Sequence, residues 1–412
     1  MLPLDSIRIV DASHVIAGPL ATQQLCMLGA EVIKIERPGH GDVLRGLAVA
    51  PEDEGLTPAF VGLNAGKRSV ALNLDAPLGR DALYRLVAGA DVFVENFKPG
   101  TAARLRIDAA TLHAINPRLI YCSISGWGQQ GPNATRGAYD HVIQAATGMM
   151  AMQGSTLGDA PVKVGFPLID MAAGQLAAFA ILAALLRRER GDESSICIDV
   201  SMAGAAVHLM SPAVSRLLIA GQELQRQGNR GFADSPGSNT FPCEDGWLST
   251  GANTLRQFEA LCEMLGRPEL ATAPRWLRQV PADPQSFLTG CAGPELHDEL
   301  CRAFRRGRAE DWEAQLNRRG VPASAVRSLA DYLADAYREA DPVTAKIPLS
   351  SATGAREVEV VGAGFRWSGP QPVPREPAPM LGEDTDDLLR EIACLSDAEL
   401  TALKLENARF KN

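Results

Sequence analysis

Residues 7–36 read IRIVDASHVIAGPLATQQLCMLGAEVIKIE, and their pattern decides the fold class. The runs at 7–10 and 32–35 are rich in Ile and Val, which is typical of buried strands. Between them, Ala17-Gly18-Pro19 predicts a turn, and the stretch 20–28 predicts a helix. A strand–helix–strand unit with short connections predicts parallel strands joined by a crossover helix.

The same alternation continues along the first third of the chain. Further strand patterns occur at 70–74, 92–94 and 119–124, and the stretch 80–88 predicts a helix between two of them. From residue 227 the sequence changes to a loop-like segment rich in Gly, Asn, Ser and Pro. The pattern as a whole predicts an α/β domain, a smaller α+β insertion and a C-terminal return to the first domain.

Two local signals in the C-terminal half predict specific structures. Asp245-Gly246 lies between apolar residues and predicts a β-hairpin. Ser396, followed three positions later by Glu399, predicts a capping box that starts a last helix.

Composition excludes several classes of protein. The chain has 412 residues, of which 46% are hydrophobic and 22% are charged, so it can bury a sizeable core. A net charge of −9 and the lack of any long Lys/Arg run argue against a nucleic-acid partner. The cysteines form no CxxC pair, and this predicts buried, reduced thiols in a cytoplasmic protein.

The sequence predicts neither a signal peptide nor a membrane span. The most apolar stretch, 171–186, is shorter than the roughly 20 residues that a span needs, and it predicts a buried helix. Asp5 and Arg8 precede any long apolar run at the N-terminus. We therefore expect a cytoplasmic protein with no membrane partner.

The usual cofactor motifs are missing from the sequence. Glu36 ends the second strand, where an acidic residue can bind a ribose. Gly18, however, is the single glycine between the first strand and its helix, where a dinucleotide fingerprint requires GxGxxG. The histidines show no paired metal-binding spacing, and neither a Walker A motif nor a GxSxG elbow occurs. We expect no NAD, FAD or metal.

Asp170 is the acidic residue that stands out. It follows the apolar, turn-forming run 164–169 and precedes the small residues 171–174, which open the apolar helix. This position predicts a helix N-cap, where free backbone N–H groups and the helix dipole keep a carboxylate ionised. The small residues leave room for a ligand. Most N-cap aspartates only cap, so the spacing alone leaves a structural and a catalytic role open.

A second group of candidates is polar and lies in loops. The glycine-rich segment 125–131 precedes Tyr139-Asp140, and such loops let a ligand approach the backbone closely. Cationic residues fall in loops or near the predicted strand ends. They are Lys34, Arg37, Lys67, Arg68, Lys98, Arg104 and Arg136. In an acidic protein we expect most of them on the solvated surface, with convergence on phosphates as the alternative.

These segments, in this order, resemble the family III CoA-transferases, also called the CaiB/BaiF or formyl-CoA transferase group. The resemblance covers nearly the whole chain. It rests on the segments 14–19 and 28–42, Asn64-Ala-Gly-Lys-Arg-Ser69, Glu95-Asn-Phe-Lys-Pro-Gly100, Tyr139-Asp140, the Asp170 segment and 377–385.

The resemblance implies that Asp170 is a nucleophile. An ionised aspartate can attack a thioester to give a mixed anhydride, and the released thiolate can then form an aspartyl-CoA thioester that the acceptor acid attacks. The implied substrates are an acyl-CoA donor and a small carboxylic acid acceptor. Coenzyme A and acyl-CoA act as substrates, with no permanently bound cofactor, no ATP and no metal.

The resemblance also implies contacts with CoA by position. Ile16 and Ala17 would lie on the pantetheine side, and Arg37 against the adenine. Arg104 would reach the phosphates. The remaining implied contacts are Leu72, Asn73, Leu74, Asn96, Phe97 and Lys98, with Tyr139 and Asp140 at the reacting end.

Two residues differ from the family pattern at positions that are expected to contact the phosphates of CoA. Gly137 stands where formyl-CoA transferases have a lysine, and Arg136 is the candidate replacement. Asp75 takes a place where a lysine can serve the phosphates.

Two further departures bear on the substrate. Formyl-CoA transferases tend to have Gln at the position of Ile16 and Trp at the position of Leu47. Their loss argues against formyl-CoA:oxalate exchange and favours a larger or less polar acyl group. Succinyl-CoA or another dicarboxylyl-CoA is the donor that we expect.

Two alternatives remain on the same scaffold. Acyl-CoA racemases use a His–Asp dyad, and their histidine falls at Tyr139. Tyrosine side chains ordinarily have a pKa of about 10 and are poor bases at neutral pH. His141 is two residues on and is expected to point elsewhere. A non-catalytic CoA-binding protein should have lost Asp170, which is present.

The resemblance finally implies an interlaced homodimer, in which each chain threads through its partner. The expected fold is a Rossmann-like large domain built from both termini plus a smaller α+β domain. We assign residues 1–200 to the first part of the large domain and 201–228 to a linker. Residues 229–325 form the predicted small domain, and 326–412 a linker and the C-terminal return.

Overall fold

The computed structural model describes most of the chain. The described ranges are 2–47, 55–155, 160–231, 235–277, 280–289, 294–334, 344–351 and 354–409. The chain forms two compact units. The first comprises Met1–Met150, Lys163–Leu224 and Asp341–Asn412, and the second comprises Ala151–Val162 and Gln225–Ala340.

A six-stranded parallel sheet forms the centre of the first unit. Its strands are β1 (Arg8–Asp11), β2 (Glu31–Glu36), β3 (Arg68–Ala71), β4 (Val92–Glu95), β5 (Ile120–Ser125) and β6 (Ile196–Ser201). They run in the order β3-β2-β1-β4-β5-β6, and Ile9 of β1 pairs with Val32 on one side and Val92 on the other. The order therefore reverses between β1 and β4, and ligands of such sheets bind at this reversal.

Helices connect the strands of this unit. They are α1 (Ala17–Met27), α2 (Pro58–Asn64), α3 (Pro77–Ala88), α4 (Thr101–Leu105), α5 (Ala109–Ile115), α6 (Asp140–Ala146), α7 (Met149–Met152), which runs into the second unit, α8 (Leu168–Glu189), α9 (Met202–Leu209) and α10 (Ser211–Ala220). Helix α1 begins earlier than predicted because Pro19 fits the first turn of a helix, where its missing N–H costs no bond. Helices α9 and α10 lie within the predicted linker 201–228.

The C-terminal residues pack on the same sheet. Buried leucines of α16 (Thr385–Glu391) and α17 (Asp397–Arg409) join one apolar cluster with Val70 of β3, Leu83 of α3 and Phe93 of β4. The capping box at the start of α17 is confirmed, since the Ser396 backbone N–H donates to Glu399 Oε2 at 2.7 Å. A hairpin of β10 (Thr344–Ser351) and β11 (Gly354–Val361) packs its apolar residues with those of α2.

The second unit is a small α+β structure. Its antiparallel sheet consists of β7 (Gly237–Pro242), β8 (Trp247–Ala252) and β9 (Ala323–Ala325), so the hairpin predicted at Asp245-Gly246 is confirmed. The helices are α11 (Leu255–Met264), α12 (Glu269–Thr272), α13 (Pro294–Phe304), α14 (Ala309–Arg318) and α15 (Leu329–Ala334). Phe241, Phe258 and Phe304 are fully buried in its core.

Helix α8 is longer than the sequence predicted. With 22 residues and a mean hydropathy of 1.9, it is the one single helix among the described residues that is long and apolar enough to cross a membrane. Half of its most apolar 18-residue window is buried. The bent pair α9–α10 passes the same test as a unit. Helix α8 packs tightly on α1, because a Cβ at Gly174 would lie 2.6 Å from the Ala17 carbonyl oxygen. This contact makes α8 a core helix of the first unit.

The prediction of buried thiols was only partly right. Cys122, Cys243 and Cys262 are buried, whereas Cys197 and Cys394 are exposed. Cys197 lies on β6, the edge strand of the parallel sheet, where side chains on one face can reach solvent. Cys291 lies outside the described residues.

Two lysines that the sequence placed among solvated cations are fully buried. Lys67 Nζ contacts Asp11 Oδ2 at 3.1 Å and donates to Asn64 Oδ1 at 2.9 Å. Lys34 Nζ pairs with Asp42 Oδ2 at 2.9 Å. Burial lowers the pKa of Lys67 to about 8, and the charge of Asp11 limits this fall. Both lysines therefore carry their charge inside the first unit, and the carboxylates balance it.

We predict that Lys67→Met destabilises the first unit by about 3–5 kcal/mol, because it leaves the buried Asp11 carboxylate without its ion-pair partner. Urea unfolding followed by circular dichroism measures this loss. The double variant Asp11→Asn/Lys67→Met should recover part of it, since neither residue is then charged. Lys346→Met removes a lysine from an exposed pair with Glu357 and should cost no more than about 1 kcal/mol. Equal midpoints for Lys67→Met and Lys346→Met would contradict the prediction.

Candidate functional site

A cavity of about 680 Å³ opens at the carboxyl ends of β1, β2, β3 and β4. This is the edge of the sheet at which the strand order reverses. Six of the residues implied to contact CoA line it: Arg37, Leu72, Asn73, Leu74, Phe97 and Arg104. The structure thus brings together residues from three separate segments of the sequence.

The loop after β1 borders the cavity and is held by buried side chains. The Asn96 side chain accepts from the His14 N–H at 2.9 Å and donates to the His14 carbonyl at 2.7 Å. Lys34 Nζ donates to the Ser13 carbonyl at 2.9 Å. Asn96 is therefore not a lining residue of the cavity but a support for His14, which is one.

Val15 has a strained backbone in this loop. Its φ is 67°, in the left-handed region that β-branched residues rarely adopt. The Val15 N–H donates to Asp42 Oδ1 at 3.1 Å, and this bond helps to hold the conformation. Ile16 and Ala17 follow at once and begin α1, so the strained residue sets where this helix starts.

Glu36 lies at the cavity but is engaged with other groups. Arg45 binds it through two hydrogen bonds of 2.8 Å, and Ser69 Oγ donates to it at 2.6 Å. Although burial opposes ionisation, the bonds from Arg45 keep the pKa of Glu36 below its usual value. An engaged carboxylate cannot also hold a ribose, in agreement with the missing dinucleotide fingerprint.

Asp170 is not a helix N-cap, contrary to the sequence prediction. Helix α8 begins at Leu168, so Asp170 is its third residue, inside the first turn. The cap comes from Asp140, the first residue of α6, whose Oδ2 accepts from the backbone N–H of Ile169 at 2.6 Å and of Asp170 at 3.2 Å. A partner from another helix leaves no local pattern in the sequence, so the sequence could not show it.

The pKa of Asp170 is raised above the ordinary value of a carboxyl group. The sequence predicts the opposite, because an N-cap position stabilises the ionised form. Partial burial is the larger cause and the nearby charge of Asp140 the smaller one, and together they raise the pKa to about 6. Gln144 Nε2 donates to the other oxygen of Asp140. All these donors are directed at Asp140, whereas the Asp170 side chain accepts no hydrogen bond in the described part of the chain.

Asp170 lies close to the start of α1. Gly174, one turn further along α8, packs against the Ala17 carbonyl as described above. Because residues i and i+4 share a face of a helix, Asp170 lies on the side of α8 that faces α1. The loop 13–17 therefore connects the cavity to the candidate nucleophile within a single unit.

The other implied contacts lie outside the cavity lining. Tyr139 is 74% exposed, and its ring stacks on that of His141. Arg136 is exposed, with its guanidinium 4.7 Å from the ring centre of Trp127. Lys98 is exposed in the turn before α4, where its carbonyl accepts from the Thr101 N–H.

Comparison with known proteins identifies the family of this chain. The model of a family described as CoA-transferase family III matches residues 4–385. Succinyl-CoA:glutarate CoA-transferase of Mus musculus is 32% identical over 95% of this chain and 87% of its own length. Acetyl-CoA:oxalate CoA-transferase of Acetobacter aceti is 33% identical over 95% of this chain and 96% of its own.

A solved structure supports the same assignment. A CaiB/BaiF family protein from Brucella suis superposes with a TM-score of 0.80 and 30% identity, over 95% of this chain and 99% of that protein. Sequence and structure agree over nearly the full length, and the chain belongs to CoA-transferase family III.

Proposed function

We propose that this CoA-transferase moves CoA from an acyl-CoA thioester to a carboxylic acid, with Asp170 as the nucleophile. The observation that carries the proposal is the environment of Asp170, a half-buried carboxylate beside the start of α1 whose oxygens accept no hydrogen bond among the described residues. Its pKa of about 6 leaves it ionised at neutral pH, and a carboxylate with a higher pKa is a better nucleophile.

The proposed reaction proceeds in four balanced steps. Asp170 attacks the thioester carbon, the C–S bond breaks, and an acyl–aspartyl anhydride and CoA thiolate form. The thiolate attacks the aspartyl carbonyl and releases the donor carboxylate, leaving an aspartyl-CoA thioester. The acceptor carboxylate displaces the thiolate to give a second anhydride. The thiolate then attacks the acceptor carbonyl and regenerates Asp170, so no oxidant, ATP or metal is consumed.

The residues around Asp170 divide the work of these steps. Asp140 holds the first turn of α8 in place through the Ile169 and Asp170 N–H groups. Each anhydride must be kept from water, and the partial burial of Asp170 limits the access of water to it. Backbone N–H groups of the glycine-rich segment 125–131 are candidates to stabilise the oxyanions.

The cavity is the proposed site for the nucleotide end of CoA. Its volume of about 680 Å³ falls within the usual range for ligand pockets. Arg37 would lie against the adenine, Arg104 would bind a phosphate, and the backbone at 72–74 would form one edge. Ala17 packs on Gly174 of α8 and follows the cavity-lining residues Ser13 and His14, so the proposal runs the pantetheine along Ile16 and Ala17. For Asn96, Phe97, Lys98, Arg136, Tyr139 and Asp140 the proposal rests on the family resemblance.

The proposed donor is a dicarboxylyl-CoA such as succinyl-CoA, with a small carboxylic acid as acceptor. Relatives carry the names succinyl-CoA:glutarate and acetyl-CoA:oxalate CoA-transferase. This part of the proposal rests on the family resemblance: Ile16 and Leu47 replace the Gln and Trp that formyl-CoA transferases tend to have, and apolar side chains favour an acyl group with a methylene chain over a formyl group.

Exposed apolar helices support a homodimer. None of the residues of α10 is buried, and Leu218 and Ile219 are 78% and 86% exposed. Phe179 of α8 is 70% exposed. Apolar faces of this kind mark protein interfaces. We propose that they are covered in an interlaced cytoplasmic homodimer, with a Rossmann-like large domain and a small domain bounded as assigned above.

We predict that Asp170 forms a covalent adduct that hydroxylamine traps. Incubation with succinyl-CoA and hydroxylamine, without acceptor, should convert Asp170 to a hydroxamate, detected by peptide mass spectrometry. Asp170→Asn should lose both the label and transfer, since an amide is a poor nucleophile, yet still bind CoA. Asp192→Asn, at the far end of α8, is the matched control and should retain both. Transfer by Asp170→Asn at the wild-type rate, with deamidation excluded, would refute the mechanism.

The same incubation in deuterated water separates the transferase from the racemase alternative. With a 2-methylacyl-CoA, the α-hydrogen should stay in place, because attack at the thioester carbon removes no α-proton. Enzyme-dependent α-deuteration would identify a racemase instead.

We predict that kcat/KM for transfer falls as the pH drops through about 6, because protonation removes the Asp170 nucleophile. Asp140→Asn keeps an acceptor for the α8 N–H groups but removes a charge that raises the Asp170 pKa. Its acid limb should therefore move to lower pH, toward the ordinary carboxyl range. Asp192→Asn should leave the midpoint unchanged. An identical midpoint in wild type and Asp140→Asn would show that the charge of Asp140 does not raise the pKa that sets the profile.

We predict a stable dimer of about twice the 43.9 kDa chain mass in sedimentation at micromolar concentration. Ile219→Asp should weaken it, because the charge would enter the covered face, whereas it would cost a monomer almost nothing at 86% exposure. Leu405→Asp, on an exposed position of α17, is the control. A folded, monodisperse monomer in the wild type would exclude the interlaced dimer.

A further inference from the structure

A carboxylate faces a guanidinium at the mouth of the cavity. Arg104 Nη1 and Asp75 Oδ1 are 2.6 Å apart, and both residues line the cavity. The two side chains are 62% and 56% exposed. The positive charge of Arg104, which could bind an anionic ligand, is therefore already paired with the Asp75 carboxylate. Solvent weakens this exposed pair.

The carboxylate is the fixed member of this pair. The Asp75 N–H donates to Asn73 Oδ1 at 3.1 Å, and Arg80 Nη1 donates to the carbonyls of Leu74 at 3.1 Å and Asp75 at 2.8 Å. Helix α3 packs directly on this turn, since a Cβ at Gly79 would lie 2.2 Å from the Asn73 carbonyl oxygen. The backbone at 73–75 thus holds Asp75 in place at the cavity.

Arg104 is the movable member. It lies in the last turn of α4, a helix of 5 residues, and its long side chain extends into solvent. Phosphate oxygens accept two parallel bonds from a guanidinium, and such pairs are stronger than an exposed single contact with a carboxylate. A phosphate entering the cavity can therefore draw Arg104 away from Asp75, but the fixed carboxylate remains beside the incoming charge.

We propose that Asp75 competes with a phosphate of CoA for Arg104 and so lowers the affinity of the enzyme for CoA. The proposal rests on the proposed function, because it takes CoA as the ligand of this cavity. In this proposal Asp75 tunes the affinity for the nucleotide end of CoA. That end of the substrate is remote from the thioester bond that reacts. Weaker retention of this end favours release of the acyl-CoA product, since differences in affinity arise mostly in the dissociation rate.

The test is a titration of CoA itself, measured by calorimetry on the full-length protein without any acyl group or acceptor. Asp75→Asn should bind CoA about three- to tenfold more tightly than the wild type, because both the competing pair and the repulsion are lost. Asp81→Asn removes the same charge from an exposed position on α3, where Asp81 pairs with Arg85, and should leave the affinity unchanged. Equal affinities for Asp75→Asn and Asp81→Asn would overturn the proposal.

A second titration asks whether the effect passes through Arg104. In an Arg104→Gln background, Asp75→Asn should improve CoA binding by less than half as much on a logarithmic scale, because there is no guanidinium left to release. A full effect in that background would overturn competition for Arg104. The gain should also shrink as salt rises from about 50 mM to about 500 mM, because screening weakens every charge at this exposed site.

These titrations distinguish a failure of the role proposed for Asp75 from a failure of the proposed function. If neither the wild type nor Asp75→Asn binds CoA, the cavity is not a CoA site and the proposed function fails first. If both bind CoA with the same affinity, the function stands and the role of Asp75 falls.

Discussion

The constraint on which the structure depends is the burial of charge around β1, β2 and the start of β3. Lys67 and Lys34 are fully buried, and the carboxylates of Asp11 and Asp42 compensate them. Removing one charge from such a group leaves another without a partner in a medium that solvates it poorly. Each member therefore holds the others in place. The network also reaches the C-terminus, because Arg45, bound to Glu36, donates to the Pro379 carbonyl at 3.0 Å.

This buried network determines the geometry of the site. Asp42 pairs with Lys34 through one oxygen and accepts the Val15 N–H with the other. A strained φ at Val15 costs of the order of 1–3 kcal/mol, and it persists only because surrounding groups fix it. The strained loop sets the start of α1, and the Ala17–Gly174 contact sets the distance between α1 and α8. The position of Asp170 is thus linked to the buried pair of Lys34 and Asp42.

Much of the fold could be predicted from the sequence, because strand and helix patterns are local. The β1–α1–β2 unit, the hairpin at Asp245-Gly246 and the capping box at Ser396 each depend on neighbours within a few residues. Lys34 and Lys67 could not be distinguished from surface cations, since their partners come from other strands and loops. The same reason explains the error at Asp170. The sequence shows an acidic residue before a helix, whereas its capping partner arrives from α6, about 30 positions earlier.

The pair Asp140 and Asp170 shows how one helix terminus can give two carboxylates different properties. Asp140 accepts two N–H groups of the first turn of α8. Asp170, two residues into the same helix, is left with partial burial and a negative neighbour, and its pKa rises to about 6. The Ile169 and Asp170 N–H groups thus stabilise the Asp140 carboxylate and not the Asp170 carboxylate. A carboxylate that ionises near neutral pH but is poorly solvated follows from this arrangement, in which the cap belongs to the other carboxylate.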